Sequence, residues 1–277
     1  MKCLLHWSDP HFGTEQPGVA RALAALVEAE RPCAAVLSGD ITQRATRRQF
    51  ARARAFVDKL AVPQMLTVPG NHDIPLIALL TRTLAPYARY RQAFGNELEP
   101  VVEAPGVLMI GVNTTRWYRH ENGAVSAAQA ARVARRLARS GPEKLRIVVV
   151  HQPVAVTREE DHKNLLIGRA PAVRAWGRAG ADLVLGGHIH LPFVLPLHEQ
   201  FALERPMWCV QAGTALSTRL RADAPNSVNL VRFSAQGSER RCIVEQWDYG
   251  MRNGAFRCAR VHTLPLGDAA QPDAATA

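Results

Sequence analysis

Short apolar runs recur through the first two thirds of the chain: Cys3 to Trp7, Ala34 to Leu37, Gln64 to Val68, Leu108 to Val112, Ile147 to Val150 and Asp182 to Leu185. They are short and nearly continuous, the pattern of strands covered on both faces. Between them, apolar positions repeat at helical spacing over Val19 to Ala29 and over Arg47 to Leu60, the latter through Phe50, Phe56, Val57 and Leu60. Ser126 stands where an N-cap belongs and predicts a helix running to Arg139. This alternation of strand and helix predicts an α/β fold. The last third changes character. Met207 to Val210, Val228 to Phe233, Cys242 to Trp247 and Phe256 to His262 read as strands with turn-rich links such as Ala224-Pro225-Asn226. They predict antiparallel strands that form or complete a second sheet. No low-complexity linker divides the chain, so residues 1–266 read as one domain. Residues 267–277, rich in Ala, Pro and Asp, read as a disordered tail.

Composition narrows the class. With 47% hydrophobic and 21% charged residues the chain is a folding globule rather than a disordered one. No apolar stretch approaches the roughly 18 residues of a membrane span. The opening MKCLLHWSDPHFG lacks the long apolar region of a secretory signal. Cys3, Cys33, Cys209, Cys242 and Cys258 are scattered without a C-x-x-C pair, as in a protein with reduced thiols. A cytoplasmic protein without membrane association is therefore expected. The net charge of +10 rests mostly on dispersed arginines, among them Arg132, Arg135, Arg136 and Arg139 on one helix. It suits a phosphate-bearing ligand. No basic stripe with interleaved aromatics is present, so nucleic acid is not the favoured partner.

The chemistry sits where the strands end. The first run closes on Asp9-Pro10-His11, the second on Gly39-Asp40, and the third on Gly70-Asn71-His72-Asp73. Ile147 to Val150 closes on His151, and Asp182 to Leu185 on Gly187-His188-Ile189-His190. Carboxyl ends of strands are where open α/β sheets place ligands. Each cluster alone has a plain structural explanation; five in succession do not. Two carboxylates, an amide oxygen and several imidazoles exceed what one metal uses. The mixed nitrogen and oxygen set suits Mn, Fe, Zn, Ni or Co. Two divalent ions about 3.5–4 Å apart would clamp a phosphoryl group and activate water.

The ordered set D-x-H, GD, GNHD, H and GH-x-H, spanning Asp9 to His190, resembles the calcineurin-like metallophosphoesterase superfamily. That resemblance implies a four-layer αββα sandwich with two mixed β-sheets. It implies that Asp9, His11, Asp40 and His190 hold one metal, and that Asp40 bridges to a second completed by Asn71, His151 and His188. A hydroxide between the metals would attack phosphorus in line. His72 would stay unliganded as general acid or transition-state stabiliser, with Asp73 either orienting it or forming a structural turn. One departure counts against a Ser/Thr protein phosphatase: Gln43 stands three residues after Asp40, where those enzymes carry an acidic residue. Chain size and the short first motif look more like bacterial class III cyclic nucleotide phosphodiesterases. The expected activity is hydrolysis of a cyclic nucleotide or similar small phosphodiester. An SbcD-type DNA nuclease or a non-catalytic scaffold on the same fold are the alternatives. Arg44, Asn113, Arg116 and His162 are candidate substrate contacts by position. Residues 74–100, with Tyr87, Tyr90 and Arg91, are a candidate helical cap.

Overall fold

A computed structural model describes residues 1–76, 78–119, 121–141, 143–221, 224–236 and 239–267. The chain opens with β1 (Lys2–Trp7), α1 (Pro17–Glu30), β2 (Ala34–Leu37), α2 (Arg47–Leu60) and β3 (Met65–Thr67), the three strands running parallel. Two short helices, α3 (Leu79–Leu84) and α4 (Ala88–Phe94), lead to the hairpin β4 (Val101–Ala104) and β5 (Val107–Gly111). Then come α5 (Ala127–Ala138), β6 (Leu145–Val149), α6 (Arg169–Arg178), β7 (Leu183–Gly186), β8 (Phe193–Pro196), α7 (Leu197–Phe201) and β9 (Trp208–Gln211). Three long antiparallel strands close the fold: β10 (Ser227–Gln236), β11 (Glu239–Gly250) and β12 (Ala255–Pro265).

Among the described residues there are two six-stranded sheets, ordered β12-β11-β10-β1-β2-β3 and β4-β5-β6-β7-β9-β8. Strand alternation explains how they stack. Leu5 and Trp7 of β1 point to a core shared with Leu23 of α1 and Phe50 of α2, whereas Leu4 points to the other sheet. Likewise Leu108 and Ile110 of β5 face α5 and α6, while Val107 and Met109 face inward. Three apolar layers therefore separate helices, sheet, sheet and helices. This is the αββα sandwich with two mixed sheets, held by burial of both faces of β1, β2, β5, β6 and β7. The helices α2 and α5 begin with capping boxes, Thr46 with Gln49 and Ser126 with Gln129, so the N-cap and N3 amides of each are satisfied.

One expectation needs correction. The late strands do not build a second sheet of their own: β10 to β12 extend the first sheet through the pairing of β10 with β1, and β9 joins the second sheet parallel to β7. Alternation within a strand states which faces are buried but not which edge it will join. The tail expectation falls on residues 268–277, outside the described residues, apart from Gly267. That residue is docked, its carbonyl accepting from Nη1 of Arg240 at 3.0 Å.

At the amino ends of β6 and β7 the two sheets are clasped. Asp182, fully buried, accepts from the Arg146 amide (2.8 Å), Arg205 Nη2 (3.0 Å), and Arg240 Nη1 and Nη2 (3.1 and 2.5 Å). Arg240 comes from β11 of one sheet and Asp182 precedes β7 of the other, so this carboxylate links the layers. No helix of the described residues is long and apolar enough to cross a membrane.

Candidate metal centre

The loops after β1, β2, β3, β6 and β7 converge at the carboxyl ends of both sheets. Their backbone is unusual. Asp9 (φ 52°), His11 (φ 43°), Asp40 (φ 47°), His188 (φ 76°) and His190 (φ 56°) all lie in the left-handed region. Non-glycine residues rarely adopt it, and such residues cluster where surrounding structure enforces a functional geometry. Glycine permits the crowding. A Cβ on Gly39 (φ +100°) would collide with the His151 ring, and one on Gly70 would collide with the Asp40 backbone.

Donor atoms of Asp9, His11 and His190 lie within 4.8 Å of one another, and so do those of Asp40, His151 and His188. Asn71 joins the second group, its Oδ1 3.2 Å from His151 Nε2. Asp40 stands between the two: Oδ1 is 3.3 Å from His151 Nε2 and Oδ2 is 3.8 Å from His11 Nε2. All seven residues of the expected ligand set are thus brought together. His72 is close as well, forming a third grouping with His11 and Asp40.

Backbone carbonyls orient the rings. Nδ1 of His151 donates to the Ser38 carbonyl at 2.8 Å, and Nδ1 of His190 to the Arg219 carbonyl at 2.7 Å, which turns each Nε2 inward toward the carboxylates. The Asp9 carboxylate is held by the His188 amide at 2.9 Å, and Asp40 by the His72 amide at 2.8 Å.

Burial disfavours a charged imidazole throughout the site. At His11 and His188 burial prevails and the pKa values drop to about 3 and about 4. At His151 burial is outweighed by Asp40, which raises it to about 9, and at His190 Asp9 has the same upward effect. Both carboxylates, despite burial, are held below their usual range by these imidazoles. Polar atoms nevertheless remain without partners. Asp9 Oδ1, His11 Nδ1 and His188 Nδ1 are buried with no hydrogen bond among the described residues, while Nε2 of His11 and His190 face each other at 3.0 Å. Converging imidazole nitrogens and a buried carboxylate oxygen 3.3 Å from His190 Nε2 and 3.7 Å from His11 Nε2 fit divalent cations.

The neighbours of His72 settle a question the motifs left open. Asp73 accepts from the amides of Gly70, Ile41 and Thr42 at 2.9, 3.0 and 2.8 Å, and from the Thr42 hydroxyl at 2.9 Å. It shapes the turn and does not orient the imidazole. Nδ1 of His72 instead donates to the Gln43 carbonyl at 3.0 Å. On the other edge of the ring, Nε2 accepts from Arg219 Nη1 at 3.0 Å, and the same Nη1 lies 3.2 Å from Gln43 Oε1. Arg219 follows β9 in a stretch without a recognisable motif, so no sequence signal marked it.

The expected substrate contacts divide differently. Arg44 is exposed, with its amide donating to Gln49 Oε1 at 2.9 Å. Asn113 Oδ1 accepts from the Thr115 amide and hydroxyl, and Arg116 donates to the Asn113 and Thr115 carbonyls and to Gln129. Those two residues line a cavity of about 420 Å³ with Arg91, Glu97, Glu99 and Gln129, and their polar groups are engaged in holding the turn. His162 is exposed, because the buried residue of its 3₁₀ turn is Asp161, which is bonded to Arg221. The candidate cap is helical over α3 and α4, but Tyr90 is core, bonded to Thr67 and packed on Phe50.

The family model of the calcineurin-like phosphoesterases matches residues 4–192, and the chain belongs to that family of metal-dependent hydrolases. Members bind two divalent metals, and the paired His/Asp clusters fit this. No curated protein matches the chain by sequence. Solved structures share the fold at low identity. One is a purple acid phosphatase from yellow lupin (Lupinus luteus) seeds, with TM-score 0.67, 12% identity, and coverage of 95% of this chain and 53% of that one. The chain therefore spans about half the length of the lupin protein. Another is a dimetal phosphatase from Danio rerio, with TM-score 0.65, 14% identity, and coverage of 96% and 99%. A third is a Vps29 variant from Entamoeba histolytica, with TM-score 0.51, 9% identity, and coverage of 95% and 100%.

Proposed function

We propose that this protein is a dinuclear-metal phosphodiesterase acting on a cyclic nucleotide or a similar small ester. The observation that carries the reading is the placement of Asp40, one oxygen toward each donor group. Asp9, His11, His190 and Asp40 would hold one ion, and Asp40, Asn71, His151 and His188 the other. Two divalent ions there would supply Lewis-acid neutralisation of a phosphoryl group and lower the pKa of water. Two carboxylates against two divalent cations leave about two positive charges, which favours a phosphate ester over a neutral one. Gln43 in place of a carboxylate leaves His72 with a backbone carbonyl partner, unlike the pattern of protein phosphatases.

In this reading His72 serves the ester oxygen that departs, with Nδ1 fixed on Gln43 and Nε2 toward the site. The direct test is hydrolysis of bis-p-nitrophenyl phosphate beside p-nitrophenyl phosphate, with Mn²⁺ and then with chelator. Chelator-sensitive cleavage that favours the diester is expected; a clear preference for the monoester would refute the diesterase reading. His72→Ala is expected to keep both ions and lose roughly 10²–10⁴-fold in kcat. Full activity in a metal-loaded variant would remove His72 from the mechanism, and loss of an ion would make it a ligand.

A further inference from the structure

We infer that Arg219 is the residue that grips the phosphoryl oxygens of the substrate, an inference resting on the phosphoester reading above. Its backbone is part of the metal site and cannot wander. The carbonyl accepts from His190 at 2.7 Å, and the amide donates to Ser217 Oγ at 2.8 Å. Neighbouring Thr218 is bonded to the Thr14 carbonyl at 3.0 Å, in the loop that carries His11. The base of the side chain is therefore fixed within reach of the metal ligands, while the side chain itself is only half-buried.

The guanidinium end is held lightly. Among the described residues its hydrogen bonds are to neutral acceptors, His72 Nε2 and Gln43 Oε1, and both use Nη1. No carboxylate pairs with it in the described hydrogen bonds and ion pairs, in contrast to Arg205, Arg221, Arg232 and Arg240, each of which has at least one. Nη2 and Nε remain to donate in parallel to two oxygens, the arrangement a guanidinium makes with phosphate.

Charge argues the same way. Adding Arg219 to two divalent ions, against Asp9 and Asp40, brings the local excess to about three positive charges. Such an excess is unfavourable until an anion enters. A phosphoryl group contacting Arg219 would also draw Nη1 off His72, leaving Nε2 open to take a proton from water and pass it to the leaving oxygen. The arginine thereby couples arrival of the phosphoryl group to release of His72. The ligand class is an oxyanion with at least two non-bridging phosphoryl oxygens, which a diester substrate, its monoester product and inorganic phosphate share.

The test uses the Mn²⁺-loaded full chain, with inorganic phosphate as the equilibrium probe and bis-p-nitrophenyl phosphate as substrate. Arg219→Ala should retain two ions, because the carbonyl that orients His190 is unchanged. Phosphate binding by calorimetry should weaken about 10- to 100-fold, as should kcat/KM. Arg219→Lys should recover part of the phosphate affinity, having the charge but not the planar fork. Phosphate affinity within twofold of wild type in metal-loaded Arg219→Ala would overturn the inference, even if kcat fell, since the arginine would then only prop His72. Failure of the wild type to cleave any phosphoester would strike the functional reading instead, while phosphate binding would still decide the role of Arg219.

Discussion

Asp40→Ala is expected to leave the protein with less than one equivalent of tightly bound metal and no measurable phosphoester turnover. Each oxygen of Asp40 faces a different donor group, at 3.3 Å from His151 Nε2 and 3.8 Å from His11 Nε2, so one substitution weakens both sites. Metal analysis after gel filtration tests this directly; two equivalents retained would refute the bridging role. Asp40→Asn gives a second readout that needs no metal. In the metal-free wild type Asp40 outweighs burial and raises His151 to about 9, so this imidazole is charged at pH 7. Without the carboxylate's charge, burial dominates and the pKa should fall below the ordinary histidine value. The sign follows for stability. A raised histidine pKa stabilises the metal-free fold below the unfolded value near 6.5, and that contribution disappears as pH rises through about 9. Metal-free Asp40→Asn should lose this contribution, and an imidazole titration by NMR should show His151 neutral at pH 7.

The second large effect lies at the opposite end of the sandwich. Asp182→Asn should destabilise the protein by about 3–5 kcal/mol, the range for removing one partner of a buried ion cluster. The carboxylate is fully buried and serves Arg205 and Arg240, with Arg146 Nε 3.8 Å away. Arg146 is itself only 2% exposed, and burial already lowers its pKa. Neutralising Asp182 would strand these guanidiniums. For a chain of this size the loss corresponds to a Tm lower by on the order of 10 °C. Because the cluster is remote from the metal loops, metal stoichiometry at low temperature should be unchanged. Thermal denaturation with and without metal would show this, and a Tm within 2 °C of wild type would contradict the clasp.

The sequence disclosed the site more completely than the framework around it. Polar residues at the ends of apolar runs are conspicuous because burial makes them costly, and Asp9, His11, Asp40, Asn71, His151, His188 and His190 all carried that signal. Helices α2 and α5 were equally plain from periodicity and capping residues. What stayed hidden depends on distance in space rather than pattern along the chain. The clasp draws on positions 146, 182, 205 and 240, which share no spacing. The partner of His72 is a backbone carbonyl, for which any residue would serve, so no side chain near Gln43 marks it in the sequence. Strands β4 and β8 are the partly exposed edges of their sheet and lack the continuous apolar run of the inner strands, and β10 joins β1 through edge pairing that face patterns do not encode.

The five left-handed backbone positions bear on how this fold ages in evolution. Asp or His at φ between 43° and 76° costs on the order of 1 kcal/mol relative to glycine, and asparagine tolerates the region better than histidine. Replacing any of the five by glycine would therefore relax the chain while dismantling the metal centre. In backbone conformation alone, decay of the site runs downhill. A lineage released from catalysis would drift toward permissive residues at these positions while its sheets stayed intact. Among distant relatives with the same sandwich, the residues at these five positions would then separate working centres from retired ones better than overall likeness does.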